Sequence, residues 1–407
     1  MANRKDSKGY ALRTGEVQRK DGRYSYSWKD RTGERHYIYA KELAVLRQRE
    51  AALRREYDIG LDPMKAKSVS VNDMVEKYLD QKHNLKTTTK GTYKYIFEHF
   101  ISETFGKNKI VDVKYSDVKK FYYSLIIDRG IKGTTVDHVH CVLHPSFQMA
   151  VRDGLIRTNP SDEVMNEIKR SKFWVKTKRK ALTVDEQRVF LKHLKETREY
   201  VGWLPIITVL IGTGMRIGEC LGITWSDLDF ENRIIHVDHE LSDNPDENGK
   251  CKKRILPVKT EAGVRTIPMI QEVYDAFLDE YEFQKCIGFC EEEIDGYSGF
   301  VFSTSSYTVY LPGAVNNAIH RATNDYNAKE KARALIEGRE PFLLPDFSAH
   351  NLRHTFCTRF CENESNVKII QSVMGHAEIS TTLNIYADAT EDKKKEVMAN
   401  MEGKIII

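Results

Sequence analysis

The spacing of apolar residues changes along this chain, and the change marks different kinds of element. Residues 16–39 alternate in the manner of strands around the turns Asp21-Gly22 and Arg31-Thr-Gly33, which predicts a three-stranded meander. From residue 41 to residue 57 apolar residues recur at helical spacing among arginines. A small sheet covered by one helix is therefore predicted at the N-terminus.

A second, purely helical region is predicted after the break at Gly60-Leu-Asp-Pro63. Apolar residues recur at three- and four-residue spacing in four stretches that end at Gly154 and at Asn159-Pro160. Four helices of this kind can share one core. The stretches are residues 71–79, 88–100, 115–128 and 134–153.

A capping box at Thr183 and Glu186 opens the third region. We expect a buried apolar helix at residues 201–210, followed by strands that place Lys259 at the tip of a hairpin. The long polar stretch 239–252 indicates an elongated or inserted hairpin. The predicted strands are residues 233–237, 253–259 and 264–268.

The predicted fold class is a multidomain α+β protein. It comprises a small three-stranded sheet plus helix, a helical domain, and a mainly helical third domain with a small antiparallel sheet. The predicted boundaries are residues 1–66, 67–168 and 183–407, with a basic linker at residues 169–182.

Composition restricts the class of protein further. At 407 residues and 41% apolar content the chain can build several cores. No run of about 18 apolar residues spans a bilayer, and no apolar stretch of a signal peptide follows Met1, so we expect a cytoplasmic protein. Seven scattered cysteines indicate a reducing compartment, and no metal site is predicted from the Cys286/Cys290 or Cys357/Cys361 spacings.

Positive charge is concentrated at two places. Residues 1–65 hold 16 Lys and Arg against 10 Asp and Glu, so they carry +6 of a chain whose net charge is +4. The segment 169–180 holds seven further cations without an acid. Both stretches are typical of surfaces that lie along nucleic-acid phosphates, although the second can also be a merely solvated connector.

Several cations and one tyrosine in the third region have the chemistry to attack a phosphodiester. Guanidinium forks match two phosphate oxygens at once, and imidazoles donate to developing negative charge. His350 and Arg353 stand three apart in a helical pattern, which places both on one face. Glu219 follows Arg216 by three and is predicted to orient it. The candidate catalytic set is Arg216, Lys259, His350, Arg353, His376 and Tyr386.

These residues, in this order, resemble the tyrosine recombinase (phage integrase) family. The resemblance is carried by Thr213-Gly-Met-Arg216-Ile-Gly-Glu219, by Lys259, by His350-x-x-Arg353, by Gly375-His376 and by Tyr386. The three-part layout is most similar to the integrases of conjugative transposons. Alternatives in other classes are DNA relaxation in the manner of a type IB topoisomerase, and a non-catalytic DNA-binding regulator on the same fold.

The resemblance implies a mechanism and its partners. Tyr386 is expected to attack the scissile phosphate and form a 3′-phosphotyrosyl bond, with Lys259 as general acid for the 5′-hydroxyl. Arg216 and Arg353, assisted by His376, hold the non-bridging oxygens, and His350 donates to phosphate or manages the tyrosine proton. No cofactor, ATP or metal is expected. The implied partners are double-stranded DNA at attachment sites, further copies of this chain in a homo-tetramer on that DNA, and an excisionase or DNA-bending protein.

We also predict DNA contacts outside the catalytic set. The outer face of the N-terminal sheet is expected to enter a major groove at arm sites, although some of its tyrosines can instead pack on the helix. A Lys/Thr-rich segment near residue 90 resembles the core-binding domain of the family, and the tail after residue 390 is expected to dock on a neighbouring protomer or to fold back in cis. The candidate DNA-binding residues are Arg19, Lys20, Arg23, Tyr24, Tyr26, Lys29, Lys86, Lys90, Lys94, Lys172, Lys178, Arg179 and Lys180.

Overall fold

The computed structural model describes residues 4–30, 33–84, 87–175, 180–243, 251–383 and 385. The chain forms two compact units, residues 1–176 and residues 177–407. Among the described residues, none of the helices combines the length and the apolar character needed to cross a bilayer.

The first unit begins with the predicted meander and its helix. β1 (Glu16–Gln18), β2 (Tyr24–Lys29) and β3 (Arg35–Ala40) form one antiparallel sheet in that order. Helix α1 (Leu43–Asp58) covers one face of the sheet, because Leu46 of the helix packs with Tyr24 and Tyr26 in a small shared core. The predicted meander and helix are confirmed.

The remainder of the first unit is helical, as predicted. The four predicted helices are present, and two shorter ones, α2 and α7, join them. Their apolar faces share one core in which Tyr122, Phe147 and Leu143 are at most 1% exposed. The helices are α2 (Pro63–Ser68), α3 (Val71–Asp80), α4 (Thr87–Ile96) with a π-helical turn at Phe97–Ile101, α5 (Tyr115–Ile127), α6 (Gly133–Arg152) and α7 (Val164–Arg170).

In the second unit, one apolar helix lies at the centre of the core. After α8 (Val184–Glu196), which starts at the Thr183–Glu186 capping box, helix α9 (Leu204–Thr213) packs against elements later in the chain. Ile206, Val209 and Leu210 of α9 are at most 2% exposed. Because burial of each such side chain stabilises the fold by about 1.5–3 kcal/mol, α9 is a rigid base for the loop that follows it.

The strands of the second unit pair differently from the prediction. β4 (Leu228–Asp229), β5 (Ile234–Val237) and β8 (Arg265–Pro268) form one sheet, and β6 (His239–Ser242) pairs with β7 (Arg254–Pro257) in another. β7 and β8 are therefore not partners, and the prediction of Lys259 at a hairpin tip is wrong. β5 pairs with β8, and β6, which follows β5 directly, pairs with β7. Lys259 therefore lies in the connection that leads from β7 in one sheet to β8 in the other.

The predicted hairpin at residues 239–252 is present as the pair β6 and β7, and its residues 244–250 lie outside the described residues. Helices complete the unit. They are α10 (Ile217–Gly222), which precedes the strands, and α11 (Gln271–Ile287), α12 (Pro312–Glu337), α13 (Ala349–Asn363) and α14 (Val367–Met374), which follow them. Residues 379–383 are also helical.

Candidate active site

Arg216 lies at the start of α10, directly after the turn that ends α9. Gly214 makes this turn with φ of 63°, and a Cβ at this position would approach Phe356 Cδ1 to 2.3 Å. Only glycine combines that backbone angle with that close packing. Arg216 then caps α10 together with Glu219, whose carboxylate accepts from the Arg216 backbone N–H at 2.8 Å and from Nη1 at 2.5 Å.

His350 and Arg353 lie one turn apart on α13, and the helix gives them different environments. His350 is exposed in the first turn, whereas Arg353 is only 4% exposed. The Arg353 guanidinium donates to the carbonyl oxygens of Gly214, at 2.6 Å, and of Met374, at 2.5 Å. Arg353 thus joins the turn before Arg216 to the end of α14.

Three guanidinium groups donate to main-chain oxygens at the C-terminal end of α14. The carbonyl oxygens of three consecutive residues each accept from a different arginine: Val373 from Arg265 at 2.7 Å, Met374 from Arg353 at 2.5 Å, and Gly375 from Arg216 at 3.2 Å. The last carbonyls of a helix have no partner within the helix and carry its negative dipole end. The C-terminus of α14 therefore arranges the cations side by side.

A buried carboxylate, Glu219, accompanies these arginines in the described part of the chain. Glu219 is 1% exposed and accepts from Arg265 Nη2 at 2.8 Å as well as from Arg216. Burial raises the pKa of the Glu219 carboxyl, but the hydrogen bond and charge of Arg265, and then the charge of Arg216, lower it below its usual value overall. Glu219 is therefore ionised and compensates only part of the charge of the three arginines.

This arrangement disfavours the charged form of the Arg353 guanidinium. Burial lowers the pKa of Arg353 to about 10, and the neighbouring charge of Arg216 adds to the effect. The site consequently favours an anion that would bring negative charge to the guanidinium groups.

His376 follows the C-cap residue Gly375 and is 8% exposed. Its Nδ1 lies 3.0 Å from the hydroxyl oxygen of Thr382, and its backbone carbonyl accepts from the Gln371 amide at 2.9 Å. Burial lowers the pKa of His376 to about 4, assisted by the charges of Arg353 and then Arg216. At neutral pH the imidazole is therefore uncharged and orientationally fixed.

Lys259 is exposed in the connection that follows β7, and the next residues contact the Gly375 turn. A Cβ on Gly375 would stand 3.0 Å from the carbonyl oxygen of Ala262. The structure thus brings Arg216, Arg353 and His376 together and holds the Lys259 connection against the same turn. Tyr386 lies outside the described residues, which reach Leu383 and include Ile385.

In the first unit, the structure contradicts two of the predicted DNA contacts. Tyr24 and Tyr26 are 4% and 7% exposed and pack in the core beneath the sheet, and the Tyr24 hydroxyl donates to Asp6 at 2.7 Å. The physical reason is the strand period of two, which turns both tyrosines of β2 toward α1. Tyr37 and Tyr39 of β3 have the opposite parity and are 48% and 43% exposed on the outer face.

The predicted cations of the first unit and the linker are surface residues where the structure describes them. Arg19 stacks over the Tyr39 ring at 5.2 Å, and Arg23 pairs with Asp21 at 2.7 Å. Lys86, Lys178 and Arg179 lie outside the described residues. The exposed cations are Arg19, Lys20, Arg23, Lys29, Lys90, Lys94, Lys172 and Lys180.

Sequence reasoning misjudged or missed three residues at these sites. Arg265 lies outside the candidate set, but it is 8% exposed and bound to Glu219. The signal was present, since apolar Ile267 and Met269 share its strand parity and are buried. Tyr37 and Tyr39 could have been recognised in the same way, by extending the alternation of β2 across the turn to β3.

Comparison with known proteins finds relatives of each part of the chain. Residues 180–393 match the phage integrase family. Residues 1–59 match the DNA binding domain of tn916 integrase, and residues 70–126 match the phage integrase N-terminal SAM-like domain. The transposase from transposon Tn1545 of Streptococcus pneumoniae is 31% identical over 98% of this chain and 96% of the relative. The transposase from transposon Tn916 of Enterococcus faecalis matches to the same extent.

Solved structures give the same result for the fold. A structure of the Tn1549 transposon integrase in complex with a circular intermediate DNA has a TM-score of 0.71 and 31% identity, and the match covers 82% of this chain and 99% of that one. A lambda integrase tetramer bound to a Holliday junction has a TM-score of 0.54 at 16% identity over 92% of this chain and 95% of that one, which supports the fold alone.

The fold and the arginine site thus define a tyrosine recombinase, an enzyme that cuts and rejoins DNA at specific sites. The chain belongs to the phage integrase family. Within that family, it is an integrase of the conjugative-transposon type.

Proposed function

We propose that Arg216 and Arg353 bind the two non-bridging oxygens of the scissile phosphate, and that His376 donates to the same group. The observation that supports this assignment most is the incomplete charge balance at the end of α14. Three arginines meet there around one carboxylate, and Glu219 is already bound by Arg265. A phosphodiester would supply the missing negative charge, and a transition state with more charge would bind more tightly.

The remaining roles follow from proton balance. The Tyr386 oxygen bonds to phosphorus while the bond from phosphorus to the 5′ oxygen breaks, and the 5′ oxygen takes a proton from Lys259. The tyrosine proton passes to the exposed imidazole of His350. A 5′-hydroxyl from another duplex reverses the step and regenerates the tyrosine, so the reaction conserves the energy of the phosphodiester.

We assign DNA binding to three further surfaces. The outer face of the N-terminal sheet presents Arg19 and Lys29 beside the stacked rings of Tyr37 and Tyr39, whose centroids are 6.4 Å apart. Cations with amphipathic rings on a sheet suit a groove of duplex DNA. Lys90 and Lys94 on α4 belong to the predicted core-binding domain, residues 67–168. Lys172 and Lys180 lie in the predicted linker, residues 169–182, and supply phosphate contacts.

Exchange between two duplexes requires four cleavage events, so we infer a homo-tetramer on DNA. Lambda integrase forms a tetramer bound to a Holliday junction, and such an arrangement fits the proposed reaction. We place the protein in the cytoplasm, where it meets its DNA, and we expect an excisionase or a DNA-bending protein to set the direction.

The proposal is tested with a nicked duplex that carries the end of the mobile element, incubated with the protein without metal or ATP. We expect a covalent adduct on a denaturing gel that disappears in Tyr386→Phe and persists in the control Tyr281→Phe. No adduct from a protein that binds the same DNA would overturn the catalytic assignment and favour a regulator. Relaxation of plasmids that lack the site would instead favour a topoisomerase-like activity.

A further inference from the structure

Arg265 is buried like Arg353, but it has no part in the proposed chemistry. It is the first residue of β8, and its side chain is 4% exposed. Its donors meet acceptors within the protein: Nε donates to Val373 O at 2.7 Å, Nη1 to Gly263 O at 3.0 Å and to Glu219 Oε1 at 3.3 Å, and Nη2 to Glu219 Oε2 at 2.8 Å. Four of the five N–H groups of this guanidinium therefore have acceptors within the protein.

Each acceptor of Arg265 belongs to a different part of the proposed active site. Val373 lies three residues before His376, and Glu219 binds Arg216. Gly263 ends the short helical turn Glu261–Gly263 that follows Lys259. A single planar group with donors at fixed angles thus sets the relative positions of three segments that are distant in sequence.

Arg265 is one of the groups that hold the Lys259 connection in place. Arg216 keeps contacts of its own with Glu219 and with Gly375 O, and His376 is held by Gln371 and Thr382. The turn after Lys259 meets the rest of the site through Gly263 O, on Arg265, and through Ala262 O, which packs against Gly375. The Nη1 atom of Arg265 would stand 3.0 Å from a Cβ on Gly375, so guanidinium, connection and turn are packed together.

We propose that Arg265 is a positioning residue that fixes the Lys259 connection against the Gly375 turn, so that Lys259 reaches the leaving 5′ oxygen while Arg265 itself never touches DNA. The inference rests on the proposed function, in which Lys259 is the general acid. A lysine at position 265 keeps the charge beside Glu219. It cannot donate to Gly263 O, Val373 O and both carboxylate oxygens at once.

The test separates proton donation from phosphate binding. Full-length protein is mixed in excess with two nicked duplexes, one natural and one with sulfur in place of the bridging 5′ oxygen at the scissile phosphate. A thiolate leaves without a proton, so the sulfur substrate needs no general acid. Single-turnover rates of adduct formation are compared for wild type, Arg265→Lys, Lys259→Ala and Arg216→Lys. Arg188→Lys, which changes an arginine that is 70% exposed, is the matched control.

We expect Arg265→Lys to slow adduct formation about 10- to 100-fold on the natural substrate and less than about 3-fold on the sulfur substrate. Lys259→Ala should show the same pattern, Arg216→Lys should be slow on both substrates, and Arg188→Lys should resemble wild type. Equal slowing of Arg265→Lys on both substrates, or no slowing on either, would overturn the inference while leaving the proposed function intact. Failure of sulfur to restore Lys259→Ala would overturn the proposed role of Lys259 and this inference together.

A second variant covers the case in which Arg265→Lys does not fold. A Cβ on Gly263 would approach Val258 Cβ to 2.9 Å, so Gly263→Ala displaces the connection and leaves Arg265 and Glu219 unchanged. We expect the same selective loss on the natural substrate. Equal rates for this variant and wild type on both substrates would contradict the dependence of Lys259 on its connection.

Discussion

The cations at the end of α14 and those on the N-terminal sheet have opposite settings. Arg353 and Arg265 are buried, and each donates to named acceptors within the protein. Arg19, Lys20 and Lys29 are exposed at the edge and outer face of the sheet. At the end of α14, burial fixes the direction of each guanidinium and strengthens its electrostatic interactions. On the sheet, the exposed cations attract phosphate, and salt screens this attraction. We therefore expect the buried cations to determine the geometry of the site and the cleavage rate, and the exposed cations to determine the affinity for DNA.

Among the changes that test the difference between buried and exposed charges, we expect the largest effect for Glu219→Gln, on stability. The substitution removes the carboxylate from two guanidinium groups and leaves buried charge unpaired, which should lower the free energy of unfolding by about 3–5 kcal/mol. Urea unfolding of the full chain measures it. Glu282→Gln changes an exposed acid paired with Lys285 at 3.5 Å and should shift stability by less than about 0.5 kcal/mol. A shift below about 1 kcal/mol for Glu219→Gln would show that the pair is not coupled.

The next effect concerns rate. Arg353→Lys removes the fork that donates to Gly214 O and Met374 O and, as proposed, binds phosphate. The single-turnover cleavage rate should fall about 100- to 1000-fold, comparable to the loss of one oxyanion donor. Arg359→Lys alters an arginine on the same helix that pairs with Glu362 at 2.9 Å and should cleave at nearly the wild-type rate. Similar rates for both variants would remove Arg353 from the catalytic set.

A smaller effect concerns pH. The pKa of His376 in the native state is about 4, below its ordinary value of about 6.5, because of burial and then the Arg353 charge. Between these values the unfolded chain binds a proton that the native chain does not. Stability from the neutral imidazole is therefore complete above pH 6.5 and is lost as the pH falls toward 4.

The measurement compares wild type with His376→Gln. After discounting for solvent screening, wild type should lose about 1 kcal/mol more than the variant between pH 7 and pH 5. His236→Gln, which changes an exposed residue of β5, should follow wild type. Parallel stability curves for wild type and His376→Gln would mean that the imidazole charges freely in the native state.

The smallest effects should appear on the N-terminal sheet. Arg19→Ala should weaken binding to arm-site DNA by about 1 kcal/mol and reduce the slope of log affinity against log salt by about 1. Tyr24→Phe should lower stability by about 1 kcal/mol, through the lost hydrogen bond to Asp6, and leave DNA affinity unchanged. Titration at several salt concentrations and thermal unfolding distinguish the two. A loss of affinity in Tyr24→Phe would break the proposed division between the inner and outer faces.

Local elements could be predicted from the sequence because their signals are local. The meander and the capping box at Thr183 both depend on residues close in the chain. Short α7 has seven residues, too few for a helical period to stand out, and it was missed. The orientation of Tyr24 and Tyr26 was open until α1 was seen to cover their side of the sheet.

Pairing between distant segments could not be predicted. The alternation at residues 253–268 indicates strands, but it does not reveal that β7 pairs with β6 while β8 pairs with β5. The place of Arg265 follows from that pairing, since residue 265 faces inward beside Glu219. The sequence supplied the candidate residues of the site, and the long-range packing determined which of them are buried.

The three arginines at the end of α14 bind main-chain oxygens, and this makes the site sensitive to chain length. Side chains at positions 372–374 can vary without altering which carbonyl each guanidinium meets. An insertion or deletion of one residue there would rotate the helix end by about 100° and exchange the acceptors of all three arginines. The segment should therefore tolerate substitutions of Val373 at modest cost and tolerate no change in its number of residues.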